Sequence, residues 1–394
     1  MSRVKLGDVA FERKETLKNN TGYPTVGLEH IIPEEIELSN WDDGAENTFT
    51  KVFHVGDVLF GRRRAYLKKA AVAPIDGICS GDITVIAALE DKISPRLLPF
   101  VIQNDKFFDF AVEKSAGSLS PRVKWQHAKE FEFELPEMEQ QEKLADLLWA
   151  MNATKDAYKK LQKQTDELVK SQFIEMFGVP FQNEKRWQTQ SLDEVCTYLT
   201  DGSHYSPKED INGIYPMLTV KDMTERGFDY GDCKLIGEEE YAKMVANGCV
   251  PKVGDVLVAK DGSYFKTAFV IEDEREQAVL SSIAILRPDK AKMVPRFMRE
   301  YLMSGQVLKA VESEYITGTA IKRVILKKLK TMPIYIPPLS MQEKYVALVE
   351  QSDKSKFDDE SLSNLNLSRC LEIQRRILKN GIIYNWEIFH SSRN

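Results

Sequence analysis

The sequence predicts an α+β fold in which two repeated lobes alternate with two long helices. Three observations carry the prediction. The junction LPEMEQQEK recurs half a chain later as IPPLSMQEK. An ordered set of landmarks precedes each junction. The segment between the lobes is free of glycine and proline and has the apolar spacing of a long helix.

The landmarks run in the same order in both halves. Tyr23-Pro24 matches Tyr215-Pro216, and Val55-Gly56-Asp57-Val58-Leu59 matches Val253-Gly254-Asp255-Val256-Leu257. Pro95-Arg96 matches Pro295-Arg296, Ala116-Gly117-Ser118 matches Thr317-Gly318-Thr319, and Pro136 matches Pro337. One such match is weak, but a collinear series marks an internal duplication. The predicted organisation is a lobe over 1–138, a helix over 139–177, a second lobe over 178–339, a second helix over 340–381 and a tail over 382–394.

In the first lobe, short apolar runs at Val52–Phe60, Ala70–Ala73 and Ile83–Leu89 read as strands, with a helix near Leu97–Val112. In the second, Val256–Val258, Ala268–Ile271 and Ile283–Leu286 repeat the pattern. Along the intervening helix Leu144, Leu147, Met151, Thr154, Tyr158, Leu161, Thr165 and Leu168 recur at spacings of three and four, the seam of a coiled coil and also of a long core helix. Gly178 and Pro180 stop it. Ser340-Met-Gln-Glu343 reads as a capping box opening the second helix, whose apolar face is Val346, Val349, Leu365, Leu371, Ile373, Ile377 and Leu378. The first junction has Glu139 in the place of Ser340.

At 394 residues, 43% hydrophobic and 29% charged, the chain has room for two or three packed cores. No apolar run approaches the roughly 20 residues that span a bilayer, and MSRVKLGDVAFERK is not a signal peptide. A cytoplasmic protein with no membrane partner is expected. The five dispersed cysteines suit a reducing compartment, and the five histidines form no zinc-type cluster. A net charge of −6 excludes a uniformly basic coat while leaving room for local cationic patches.

One such patch is Arg62, Arg63, Arg64, Lys68 and Lys69 around Tyr66. Phosphate neutralisation and an exposed charged loop are both served by this density. Arg122 and Lys124 follow the AGSLS loop, as Lys322 and Arg323 follow TGTAI; Lys260 and Lys266 flank the DGSYF turn at the counterpart of the arginine tract. Ser203 and His204, in TDGSH, are placed either to donate to an anion or base edge or to cap their own turn.

Catalytic signals are missing. There is no GxxxxGK[ST] loop, and Pro337-Pro338 lies between Ile336 and Leu339, not within the Asn/Asp-Pro-Pro-aromatic tetrad of a DNA methyltransferase. Asp76 with Glu90-Asp91-Lys92 loosely matches a nuclease spacing, but the second lobe offers Asp289-Lys290-Ala291-Lys292 there, so the match reads as chance. A single-chain nuclease or methyltransferase and a protein-binding scaffold are the rival readings.

The motifs TDGSHYSP, GIYPMLTVKDM, both VGDVL strands, FGRRRAYLKKAAVAPIDGICS, TGTAIKR, FIEMFG and PPLSMQEK together resemble the specificity (S) subunit of type I restriction-modification systems, over nearly the whole chain before Gly381. The first junction departs in having a single proline, and the first lobe has ERKETLKNN where the second has the DGSH turn. The resemblance implies two α/β target recognition domains separated by two long antiparallel coiled-coil helices, with approximate two-fold symmetry. Each domain would read one half of a bipartite double-stranded DNA site. A helix of roughly 40 residues reaches about 60 Å, against about 34–36 Å for one turn of DNA. Leu144, Leu147, Met151, Tyr158, Leu161, Leu168, Val346, Val349, Leu371 and Ile377 would form the helix–helix and partner face. The implied partners are two modification (methyltransferase) subunits and ATP-dependent restriction subunits. This chain would bind no cofactor and no metal; S-adenosylmethionine, ATP and Mg²⁺ would enter through the other subunits.

Overall fold

The repeated Val-Gly-Asp turn folds identically in both lobes, and the sheets grow from it. The computed structural model describes residues 2–17, 22–44, 47–117, 119–261, 265–317 and 323–354. Gly56 and Gly254 each have φ +89°, a left-handed geometry that costs a glycine little and any other residue more. The following aspartate closes the turn: Asp57 Oδ2 accepts the His54 amide at 2.8 Å, and Asp255 Oδ2 accepts the Lys252 amide at 2.7 Å. That break divides the first lobe's expected Val52–Phe60 run into two strands, Lys51–Phe53 and Val58–Gly61, which join different sheets.

In the first lobe an antiparallel sheet has the order Ala10–Glu12, Ile83–Ala88, Val58–Gly61, Ala70–Val72. The second lobe repeats it as Cys196–Asp201, Ile283–Pro288, Val256–Ala259, Ala268–Val270. The register matches residue by residue, with Leu59 opposite Val85 in one and Leu257 opposite Ile285 in the other. A second sheet contains one parallel pair in each lobe, Pro24–Val26 with Gly77–Cys79 and Tyr215–Leu218 with Ala278–Val279. A two-stranded ribbon joins each lobe's start to its end, Ser2–Lys5 with Glu132–Leu135 and Gln188–Ser191 with Pro333–Ile336. Val58, Phe60, Ile86, Phe107 and Phe108 lie in the first core, and Val256, Val258, Leu286, Phe297 and Tyr301 in the second.

The helix expected near Leu97–Val112 is two helices, Leu98–Ile102 and Asp105–Glu113. Asn104 separates them because its side chain accepts the Lys106 amide and caps the second.

The segment between the lobes is one helix, Met138–Phe177, 40 residues long. Within the first unit, which ends at Lys160, Leu144, Ala145 and Leu148 enter the lobe core and the Trp149 indole donates to the Arg96 carbonyl at 2.9 Å. Within the second unit, Phe173 and Phe177 enter the other core, where the Phe177 and Phe297 rings lie 4.8 Å apart. Leu147, Leu161 and Leu168 are 46, 49 and 59% exposed, while Met151 and Tyr158 are half-buried. Val346 and Val349 pack in the second lobe's own core. Leu371 and Ile377 lie outside the described residues.

The capping box at Ser340 is not what opens the second helix. The helix begins at residue 339, so Ser340 already lies in its first turn. The Met341 and Gln342 amides donate to the Pro338 carbonyl at 2.9 and 3.2 Å, which places Pro338 at the boundary itself. The anchor is a buried glutamine one turn in. Gln342 donates through Nε2 to the Lys292 and Pro337 carbonyls at 2.9 and 2.8 Å and accepts the Val294 amide at 2.8 Å. Gln141 does the same in the first lobe, with the Lys92 and Pro136 carbonyls at 3.3 and 2.9 Å and the Ser94 amide at 2.8 Å. This explains the repeated glutamine.

Gln141→Glu and Gln342→Glu keep side-chain size but turn an acceptor toward two carbonyls. Each is expected to cost its lobe about 3 kcal/mol, seen as a lowered urea midpoint. A midpoint no lower than that of the exposed-site control Lys344→Ala would remove the anchoring role.

Candidate nucleic-acid interface

Where each repeated central strand ends, the backbone makes the same two contacts. The Arg62 amide donates to the Asp82 carbonyl at 3.0 Å, and the Val123 amide donates to the Arg62 carbonyl at 3.0 Å. In the second lobe the Lys260 amide donates to the Ser282 carbonyl and the Val324 amide to the Lys260 carbonyl, both at 2.9 Å. Arg62 is thus the counterpart of Lys260, and Arg122 of Arg323. Paired β-bridges, Arg63 with Arg122 and Asp261 with Arg323, confirm the register. Lys124 corresponds to Ile325, so the cationic pairs Arg122/Lys124 and Lys322/Arg323 overlap at one position only.

On this shared scaffold the two lobes carry different charge. In the first, Arg63 and Arg122 converge on Asp82. Arg122 Nε donates to Asp82 Oδ1 at 2.7 Å, Arg63 Nη1 to Oδ2 at 3.3 Å, and Arg63 Nε to Ser120 Oγ at 2.6 Å. The Arg122 hydrogen bond, opposed by burial and joined by Arg63, holds the Asp82 carboxyl below the usual carboxylate range. Arg64 is exposed at φ +54° and, like exposed Lys124, has no side-chain partner among the described residues. Tyr66 beside them is 54% exposed.

The other cations of the tract are engaged. Lys68 pairs with Asp105 at 2.6 Å, and Lys69 donates to the Leu28 carbonyl at 2.6 Å. Arg62 is half-buried, and its Nε lacks a hydrogen-bond partner among the described residues. An anion-facing role for all five therefore narrows to Arg64, with Arg63 and Arg122 held partly outward by Asp82.

The second lobe departs further. Lys260 is 4% exposed and sits 3.5 Å from Asp201 Oδ2 and 3.4 Å from Asp261 Oδ1. A lysine so enclosed is a structural ion-pair partner, not a phosphate contact. His204 Nε2 is 3.5 Å from the same Asp201 oxygen, while Asp201 Oδ1 is buried without a partner. Burial pushes the Asp201 carboxyl upward, and Lys260 opposes the shift. Ser203 caps its own turn: its hydroxyl donates to the Tyr205 carbonyl at 2.6 Å and accepts the Tyr205 amide at 3.1 Å. Gly202 is required there, since a Cβ would meet the Val279 carbonyl oxygen at 2.3 Å. His204, Lys266 and Arg323 are exposed, and Lys322 lies outside the described residues.

Asp82, Ser120, Asp201 and Asp261 shape these sites, and none was singled out from sequence. Asp82, Ser120 and Asp201 each have a cationic partner nineteen or more residues away, which no local spacing reveals. Asp76 accepts the Val55 amide at 2.8 Å, a turn contact. Among the described residues no group of three or more His, Cys, Asp or Glu is placed to hold a metal ion. Among them also, no helix is long and apolar enough to cross a membrane.

Two lobes of one strand order, joined in sequence by a 40-residue helix, with converging arginines at a strand end of the first, define a duplicated α+β protein. Residues 184–366, which span the second lobe, match the type I restriction modification DNA specificity domain. The chain is 22% identical to the type I restriction enzyme MjaIX specificity subunit of Methanocaldococcus jannaschii over 66% of this chain and 63% of that protein. It is also 22% identical to the EcoDI specificity subunit of Escherichia coli over 45% of this chain and 41% of that one. The chain thus spans less than two thirds of these curated relatives. Its fold is shared with a chain from a type I R-M complex (TM-score 0.57, 21% identity, 97% and 98% of the two chains covered). The S subunit from M. genitalium also shares it (TM-score 0.57, 11% identity, 96% of each covered).

Lys260→Ala leaves Asp201 buried without its cation and is expected to destabilise the second lobe by about 3 kcal/mol. Arg64→Ala should leave stability within about 0.5 kcal/mol of the parent. Equal urea midpoints for the two variants would contradict the buried-pair assignment.

Proposed function

We propose that this chain is the DNA-recognition subunit of a type I restriction-modification complex. Each lobe reads one half of a bipartite duplex site, and the long helices set the interval between halves and dock two modification subunits. S-adenosylmethionine is bound by those subunits, and ATP and Mg²⁺ are used by the complex, with restriction subunits driving the ATP-dependent step; this chain performs no catalysis. The observation that carries the reading is the repetition of one sheet order and register on either side of a single long helix. A duplicated reader linked by a stiff rod matches a target made of two separated words. Curated relatives named as specificity subunits add support.

The helix seam supports the spacer role in the same way. Leu147, Leu161 and Leu168 keep apolar surface exposed at heptad-like spacing, and covering such surface is worth roughly 25 cal/mol per Å². The antiparallel partner in this reading is the chain's own second helix.

Expressed with its modification subunits, the chain should impose methylation on a two-part sequence with a fixed gap, read by methylation sequencing of the host genome. A continuous motif, or methylation indifferent to this chain, would reject the reading. Arg64→Ala combined with Lys124→Ala should reduce the slope of log K against log salt by about 2, one phosphate contact each. An unchanged slope would remove these residues from the interface.

A further inference from the structure

We propose that Asp82 is a positioning residue for sequence reading by the first lobe: its carboxylate sets the guanidinium groups of Arg63 and Arg122 so that their unused N–H edges face a base. This rests on the reading that the lobe binds DNA.

Arg63 and Arg122 come from segments far apart in sequence that meet in a β-bridge. Two adjacent guanidinium groups repel each other, and each long side chain has rotamer entropy to lose. One shared carboxylate answers both problems. It takes 2.7 and 3.4 Å hydrogen bonds from Nε and Nη2 of Arg122 and a 3.3 Å bond from Nη1 of Arg63. Ser120 fixes Arg63 Nε at 2.6 Å. Asp82 is itself pinned, its amide donating to Ser80 Oγ at 3.2 Å and its carbonyl accepting the Arg62 amide at 3.0 Å.

The Asp82 side chain is 20% exposed, against 39% for Arg63 and 45% for Arg122. The acid thus lies behind and the arginines in front. Nη2 of Arg63 and Nη1 of Arg122 make no hydrogen bond among the described residues. Guanine presents two acceptors, O6 and N7, to such a fork, and a good bidentate contact discriminates by about 1–3 kcal/mol.

The sign of the effect separates this role from a simple charge. As charge alone, an acid among DNA-facing cations weakens binding to every duplex, and removing it strengthens binding to every duplex. As a positioner, its removal weakens binding to the correct sequence while binding to other duplexes holds or rises. The device belongs to the first lobe, because the second has Ser282 at the place of Asp82 and Asp261 at that of Arg63.

The test uses the chain assembled with its modification subunits and two equal-length probes: the duplex sequence that the complex methylates, and alternating poly(dA-dT). Asp82→Asn is expected to lower the ratio of the two affinities about ten- to hundred-fold, with the loss confined to one half-site when each half is scrambled in turn. Arg122→Lys keeps the charge but not the planar fork, and should lower the ratio while leaving the salt slope unchanged. A ratio within two-fold of the parent for both variants, or both affinities rising together for Asp82→Asn, overturns the proposal. Loss of binding to both probes with a lowered melting temperature assigns Asp82 to folding and also overturns it. If Arg64→Ala with Lys124→Ala leaves both affinities unchanged at every salt concentration, the DNA-facing reading of the lobe itself fails.

Discussion

A primary amide buried at the first turn of the helix that leaves each lobe holds the architecture together. Gln141 and Gln342 are 2% and 0% exposed. Each joins the strand that leaves the lobe, the loop that leaves the sheet and the start of an internal helix. Glutamine alone fits the task. It offers two donors to two carbonyls and one acceptor to an amide, whereas glutamate has no donor when ionised and leucine has neither. The rod can carry a lobe only if its direction is fixed where it leaves, and three hydrogen bonds to separate segments fix it. The surface pair that follows is secondary: Arg96 bonds Asp146, and Arg296 bonds Asp353, both at 2.5 Å and both half-exposed. Such pairs contribute little beside a buried network.

The turn aspartate shows how a duplicated core tolerates divergence. Asp57 and Asp255 are 3% and 0% exposed, and each receives a bidentate guanidinium. The arginines come from different strands: Arg13 follows the first lobe's edge strand, while Arg287 lies on the second lobe's neighbouring strand. A buried carboxylate needs a cation, and the sheet offers more than one place from which to supply it. The acid is therefore visible in both VGDVL repeats, while its partner is not part of any repeat.

That contrast explains what was legible in the sequence. The duplication, the central strands and the 40-residue helix follow from glycine geometry, alternation and the absence of helix breakers, all local properties. The Ser340 box misled because the Ser-x-x-Glu signature was read without the preceding proline's carbonyl, which starts the hydrogen-bond ladder earlier. The break at Asn104 has a local signal, since the polar run Gln103-Asn104-Asp105-Lys106 interrupts the apolar residues and asparagine is a preferred cap. Cationic residues were easy to find and hard to sort. Whether Lys260 faces water or Asp201 depends on a residue almost sixty positions away, and density of charge along the chain carries no such information.

Sorting them changes the picture of how the two lobes would hold an anionic duplex. The first lobe keeps Arg64 and Lys124 without a side-chain partner among the described residues and exposes one flank of a shared arginine pair. In the second, the equivalent backbone positions hold a buried Lys260 between two carboxylates, and His204 stands over one of them. One scaffold thus supports two different charge arrangements, because the hydrogen bonds that define it run through backbone and buried side chains and leave the strand-end residues free to change.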